Sequence, residues 1–382
     1  VAVHPRIDPA QARSERIVIN LNLFPSKRLA LYLVRLFLTR SFAVLFALVL
    51  VLMTLDLLGE SGKILAVPGN GDKDLWHYVI LRIPLLVSRF LPFAVLLGTL
   101  IAFVEMNQHS EVVAMKAAGL SAHQLLAPLI LASFGIAAAL FAFNETVVVK
   151  SARVVTAWSD NDYKPIPPES GILSNVWILN GEDLIRAGRV GSRGLHAENV
   201  EIYDRGSGIL QRVIQIQHAV PQPGRGDWLL DNVRIYDAGM NLIRRYPRMI
   251  GMDGVTPTQL TLAKVDPTEL DYWTLQQRIA ELDAAGRPTD EARAGLAHKI
   301  SGPLSTVLMP LLAAVAAFGL ARSGQVLLRA TVGMALGFAY FVADNFSLAM
   351  GNVGAYPPLI AAWAPFLLFL LIGETVLVRT EE

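Results

Sequence analysis

Few residues in this chain have a type and spacing that could do chemistry, and Glu111 is the most sharply placed of them. It lies in the run Asn107-Gln108-His109-Ser110-Glu111-Val112-Val113-Ala114-Met115-Lys116-Ala117-Ala118-Gly119-Leu120-Ser121. Ser110 suits an N-cap and Gly119 a left-handed C′ position, which predicts a helix of about two turns between them. Ser121 is then placed to cap the next helix. So short a helix is marginal alone in water and needs a surface to pack on. Glu111 falls in its first turn, where the helix dipole favours a carboxylate. It is therefore either a helix-stabilising acid or a charged contact offered to something outside the chain.

Other ionisable groups are sparse. Asp344 is the clear case of an acid set well inside an apolar stretch, whereas proton-coupled carriers usually show several. Lys63, Arg82, Arg89, Lys150 and Arg153 flank apolar stretches, where basic side chains either snorkel as anchors or meet anionic groups. No glycine-rich loop ending in Gly-Lys-Ser/Thr exists to cradle ATP phosphates, and Gly69-Asn70-Gly71 lacks the lysine and the following helix. There is no HExxH or GxSxG, and the seven histidines are scattered. With no cysteine, thiol catalysis, zinc–cysteine sites and disulfides are excluded. Arg225-Gly226-Asp227 reads as a turn. No catalytic residue, metal site or cofactor is expected in this chain, so any energy source must come from a partner.

Apolar helices must position these residues. Of 382 residues, 53% are hydrophobic and 17% charged, where a soluble domain carries about a quarter charged. The net charge of +1 points to no nucleic-acid partner. About 20 apolar residues cross a bilayer as a helix. The stretches that qualify are Leu33–Leu58, Val79–Val104, Leu125–Phe143, Pro303–Leu320, Val326–Met350 and Pro358–Val378. Pro84 and Pro92 are expected to kink the second. Residues 1–28 read as a cytoplasmic N-terminal tail, without the apolar core of a cleavable signal peptide. Over residues 1–40, Arg6, Arg13, Arg16, Lys27, Arg28, Arg35 and Arg40 face only Asp8 and Glu15, while Arg322, Arg329 and Arg379 mark later turns and the last end. This bias places both termini in the cytoplasm.

Three spans (29–145, with the short helix at 110–119) precede a polar insertion and three (300–382) follow it, so the insertion is expected on the far side. Over 146–266 it reads as β structure, in runs Ile172–Leu179, Leu184–Val190, Leu195–Tyr203, Ile209–Val220, Trp228–Tyr236 and Asn241–Met249. Asn180-Gly181, Asp204-Arg205-Gly206 and Pro223-Gly224-Arg225-Gly226 punctuate them, which predicts an all-β sandwich or barrel. Alternation in Arg212-Val213-Ile214-Gln215-Ile216-Gln217 gives one apolar face, either a filled core or a surface fit for lipid. A helical connector follows over 267–299, with Leu275, Ile279 and Leu282 on one face.

The stretch Leu96-Leu97-Gly98-Thr99-Leu100 through Ser110-Glu111-Val112-Val113-Ala114-Met115-Lys116-Ala117-Ala118-Gly119 resembles the LptF/LptG permease family of lipopolysaccharide export. Further matching blocks are Gly333-Met334-Ala335-Leu336-Gly337-Phe338 with Phe341-Val342-Ala343-Asp344-Asn345, and Gly354-Ala355-Tyr356-Pro357-Pro358. A weaker match runs through Val176-Trp177 and Val200-Glu201-Ile202-Tyr203. The blocks favour the LptG-type chain over the LptF-type.

The resemblance implies an α+β membrane protein, six transmembrane helices with a periplasmic β-jellyroll between helices 3 and 4, seated in the inner membrane. It implies an LptF-type permease partner, a cytoplasmic ATPase dimer (LptB) that holds the ATP and magnesium, and a single-span subunit (LptC). Lipopolysaccharide would be the substrate. The loop helix would be the coupling helix, with Glu111, Val112, Met115, Ala118 and Gly119 meeting the ATPase. Gly333, Gly337 and Asp344 would line a lateral gate, with packing inside the chain as the other reading of the glycine pair. Relatives carry several lysines at the outer end of the first span; here Met53-Thr54-Leu55-Asp56-Leu57-Leu58-Gly59-Glu60 stands there instead. Lys63, Arg82, Arg89, Lys150 and Arg153 are the local substitutes for contacts to lipid phosphates. A proton-driven carrier would need internal repeats and midplane ion pairs, which the sequence lacks. A membrane scaffold without transport is the third reading.

Overall fold

A computed structural model describes residues 26–164, 173–191, 194–206, 208–222, 226–262, 265–284, 287–318 and 326–379. Most of the tail expected over 1–28, the turn residue Arg322 and Pro223-Gly224-Arg225 lie outside the described residues. In chain order the helices are α1 (Lys27–Leu65), α2 (Asp72–Gln108), α3 (Glu111–Ala117), α4 (Ala122–Phe143) and α5 (Val149–Asp160), with a π-helical turn (Asn144–Val148) joining the last two. The strands are β1 (Leu173–Asn180), β2 (Asp183–Val190), β3 (Ala197–Gly206), β4 (Ile209–Pro221), β5 (Trp228–Asp237) and β6 (Leu242–Gly251). Then come α6 (Pro257–Leu262), α7 (Tyr272–Ala284), α8 (Asp290–Phe318), α9 (Val326–Asn352) and α10 (Pro358–Arg379).

Among the described residues, six helices are long and apolar enough to cross a membrane, α4 and α5 counting as one continuous rod. They overrun the predicted spans: α1 and α2 extend well beyond the apolar stretches, and α2 continues through Pro84 and Pro92. The connector divides, since α7 ends at Ala284 and α8 begins at Asp290. At the centre of the bundle lies α8, most of its apolar window buried. Small residues allow this: Ala313, Ala314 and Ala316 are fully buried. Gly98 sits so close to the Ser41 backbone on α1 that a Cβ there would collide, which ties α1 to α2. At the π-helical turn, Glu145 accepts from Lys299 of α8 at 2.8 Å and from the Tyr272 amide. That pair is largely buried, so each charge depends on the other to offset its lost hydration.

The described residues of the insertion form a six-stranded antiparallel sheet in meander order β1-β2-β3-β4-β5-β6. Among the described residues it has no Greek-key crossover. Its inner face packs Val176, Ile185, Ala187, Val200, Ile216, Trp228, Leu230 and Val233 into a core of its own. A transverse line of irregular residues crosses it. Asn175, Asn199 and Asn232 have left-handed φ values of 53°, 50° and 54°. Between and beside them the register sets Gly188, Gln217 and Pro247, each omitted from the strand pairing. One extra residue per strand reverses the in–out alternation, so Ala197 and Val200 both point inward although they are an odd number apart. Because every strand carries the insertion at the same level, the ladder stays in register on both sides and the sheet can bend along the line. Asn tolerates this conformation better than other residues with a Cβ.

Candidate functional site

At the bundle end remote from the sheet, α2 and α4 are joined by the two-turn helix α3. Its C-terminus is a Schellman motif: Leu120 N–H donates to Met115 O at 3.1 Å and Gly119 N–H to Lys116 O at 2.9 Å. Gly119 has φ +87°, as its position requires. Ser121 caps α4 through a capping box with Gln124. The N-terminus departs from expectation. Ser110 has φ 58° and its side chain makes no cap hydrogen bond, so it is a left-handed corner between α2 and α3. With only His109 and Ser110 between α2 and α3, the chain must reverse sharply, and the left-handed corner takes the place of the extended backbone an N-cap normally adopts.

Val112 is 4% exposed and Met115 packs on the bundle core, so these two hold α3 down. The surface that α3 offers outward is Val113, 65% exposed, with Ala114, Lys116, Ala117, Ala118 and Gly119. Glu111 is not loose. Tyr32 of α1 donates its hydroxyl to the carboxylate at 2.9 and 3.1 Å. About two turns further along α1, Arg40 forks onto Glu105 of α2 at 2.9 and 2.8 Å. The first contact ties the short helix to α1, and the second ties α1 to α2 beside it. Sequence reasoning missed Tyr32 and Val113. Tyr32 carries no local signal, because its partner is distant in the chain, and Val113 differs from Val112 only by which side of the helix it occupies.

The five basic residues separate at the other end of the bundle. Arg82 forks onto Asp56 of α1 with both contacts at 3.0 Å, and Tyr78 donates to the same carboxylate at 2.7 Å. Lys63 pairs with Glu60 at 2.9 Å, and Tyr163 donates to Glu60 at 2.8 Å. Asp56 and Glu60 thus fasten α1 to α2 and to the end of α5. Arg153 donates to the Glu269 carbonyl at 3.0 Å. Arg89 and Lys150 are exposed and have no ion-pair partner among the described residues.

Gly333 and Gly337 face inward. A Cβ on Gly333 would meet Leu100 at 2.6 Å and Ala316 at 2.9 Å, and one on Gly337 would collide with Leu96. The glycine pair therefore packs α9 against α2 and α8 of this same chain. Asp344 is mostly buried, with one oxygen 3.9 Å from His298 Nε2 on α8. Within the β domain a cleft is lined by Ile185, Ile202, Ile214, Leu230, Met249 and Met252, with Asn180, Asp183, Asp204 and Asp253. Every strand contributes, so the sheet curls around its buried apolar core and leaves a cleft that mixes apolar side chains with aspartates.

Fold and site together define a multi-pass membrane permease whose β domain is inserted after the third span. The chain belongs to the lipopolysaccharide export system permease LptF/LptG family, whose model matches residues 31–379. It is 26% identical over 310 residues to the lipopolysaccharide export system permease protein LptG of Escherichia coli (strain K12), covering 79% of this chain and 84% of that one. It is 25% identical over 324 residues to the LptG protein of Haemophilus influenzae (strain ATCC 51907), covering 82% and 89%.

Proposed function

We propose that this chain is the LptG-type half of an ATP-driven exporter, taking lipopolysaccharide from the inner membrane through the bundle and onto the apolar interior of the β domain. The observation that carries this reading is α3, a short helix pinned between two spans, whose outer face of small and apolar residues with one lysine is exposed among the described residues. The chain has no nucleotide-binding motif, so the stroke must enter from a separate cytoplasmic ATPase, and α3 is the surface shaped to receive it. Val112 and Met115 anchor the helix; Glu111, Val113, Ala118 and Gly119 meet the partner. Lys/Arg bias supports the α3 end as cytoplasmic and the sheet as periplasmic. An LptF-type permease would complete the lipid path, and a single-span LptC subunit would join it. Arg89, Lys150 and Arg153 are the basic residues left to meet lipid phosphates, since Asp56 and Glu60 occupy Arg82 and Lys63, while Arg153 meets only a backbone carbonyl. Purification of the chain with its co-expressed genomic neighbours tests the reading. An ATPase should accompany the wild type, and Glu111→Lys should reduce its recovery. Recovery of the chain with no ATPase, or an ATPase indifferent to Glu111→Lys, would contradict it.

A further inference from the structure

We propose that His196, Glu198 and His218 form a divalent transition-metal site on the outward face of the β sheet, with Zn2+ as the ion its two imidazoles and one carboxylate best suit. The proposal is independent of the transport reading. Histidines scattered in the sequence are gathered here by strand pairing. The β3–β4 register sets Glu198 opposite His218, and His196 lies two residues before Glu198 on the same face. One ligand atom from each lies within 4.8 Å of the others. His196 Nε2 is 3.2 Å from Glu198 Oε1, and His218 Nδ1 is 3.9 Å from the same oxygen. The imidazoles lie nearly parallel, 25° between planes and 5.7 Å between centroids. A tetrahedral ion with ligands at about 2.1 Å spaces them roughly 3.4 Å apart. Small side-chain rotations close the set.

Two features go beyond an ordinary polar surface. His218 Nδ1 is buried without a hydrogen-bond partner, and a bound cation would satisfy it. Glu198 is also held by Arg189 of β2, whose Nη2 lies 2.5 Å from Oε2. That contact fixes the carboxylate and leaves Oε1 turned to both imidazoles, the outer-shell support that metal ligands commonly have. The same guanidinium weakens attraction for a cation, so micromolar affinity is expected. Asp231, opposite His218 on β5, is taken by Arg248 at 2.7 Å and stays outside the set. Both imidazoles are partly exposed, which leaves room for water to complete the coordination. The ion would clip β3 to β4 and hold His196, whose carbonyl accepts from Gly191 N–H at 2.7 Å.

The full chain, purified in detergent with a tag free of histidine and stripped by chelator, should be dialysed against Zn2+. One saturable equivalent is expected, weakened by at least about tenfold in His218→Ala and Glu198→Gln and kept in the α2 control His77→Gln. Zn2+ should also raise the unfolding temperature of the wild type and not of His218→Ala, because an ion that binds only the folded state stabilises it. Where His218→Ala does not fold, His196→Ala serves in its place. No saturable equivalent in the folded wild type, or an equivalent unchanged in folded His196→Ala or His218→Ala, overturns the site.

Discussion

Glu111 has an acceptor-only side chain held by a neutral donor, the Tyr32 hydroxyl, so its negative charge is oriented without being neutralised. Removing the carboxylate and removing the tether should therefore differ. Glu111→Ala should lower lipid export far more than complex yield, because an ionic contact worth roughly 1.5–3 kcal/mol is lost at the partner surface. Tyr32→Phe keeps the ring and the charge and should lower export only slightly. Export assayed in a depletion strain, with complex yield measured in parallel, separates the two; equal loss in both variants would make Glu111 a mere anchor for α1. At this scale the sequence was legible where the determinants are local. Gly119 and Ser121 sit where their caps require, but Ser110 turned left-handed because the loop is too short for an extended cap. Tyr32, Arg82–Asp56 and Glu145–Lys299 join different helices, and nothing local announces such pairs.

Packing decides the elements. Gly337 faces Leu96 and has no room for a side chain, so Gly337→Leu should overpack the α2–α9 contact by about 1–3 kcal/mol. Thermal unfolding of the purified chain should fall, and Leu96→Ala should partly restore it by vacating that space; no change on Gly337→Leu would place α9 elsewhere. In the sheet, Asn199 sits at φ 50°, where a β-branched residue is strained. Asn199→Val should cost about 1–2 kcal/mol, while Asn199→Gly should be tolerated, as read by unfolding of the β domain. The reverse order would contradict a left-handed backbone at position 199. Apolar spans and alternating strands were plain in the sequence, since each follows a simple period. The bend was not, because asparagines inside strands read as weak β formers until their neighbours are seen to carry the same irregularity.

In the whole molecule, a bundle tied at one end by Asp56 and Glu60 and at the other by Arg40, Glu105 and Glu111 carries a wrapped sheet with an apolar interior. The order of spans, insertion and spans was readable from hydropathy, and the family blocks were readable as motifs. The meander order and the wrapped interior depend on pairings between strands, which periodicity within one strand does not specify. The central claim is that lipid moves across that interior under ATP. It is tested most directly by photo-crosslinking in inner-membrane vesicles holding the chain with its co-expressed partners. A photoreactive residue replaces Ile214, which lines the cleft, or Gln215, which points the other way. A lipopolysaccharide adduct at position 214 should grow with ATP, with little at 215. An intact complex giving equal adducts at both positions, or an ATP-independent signal at 214, would contradict the central claim.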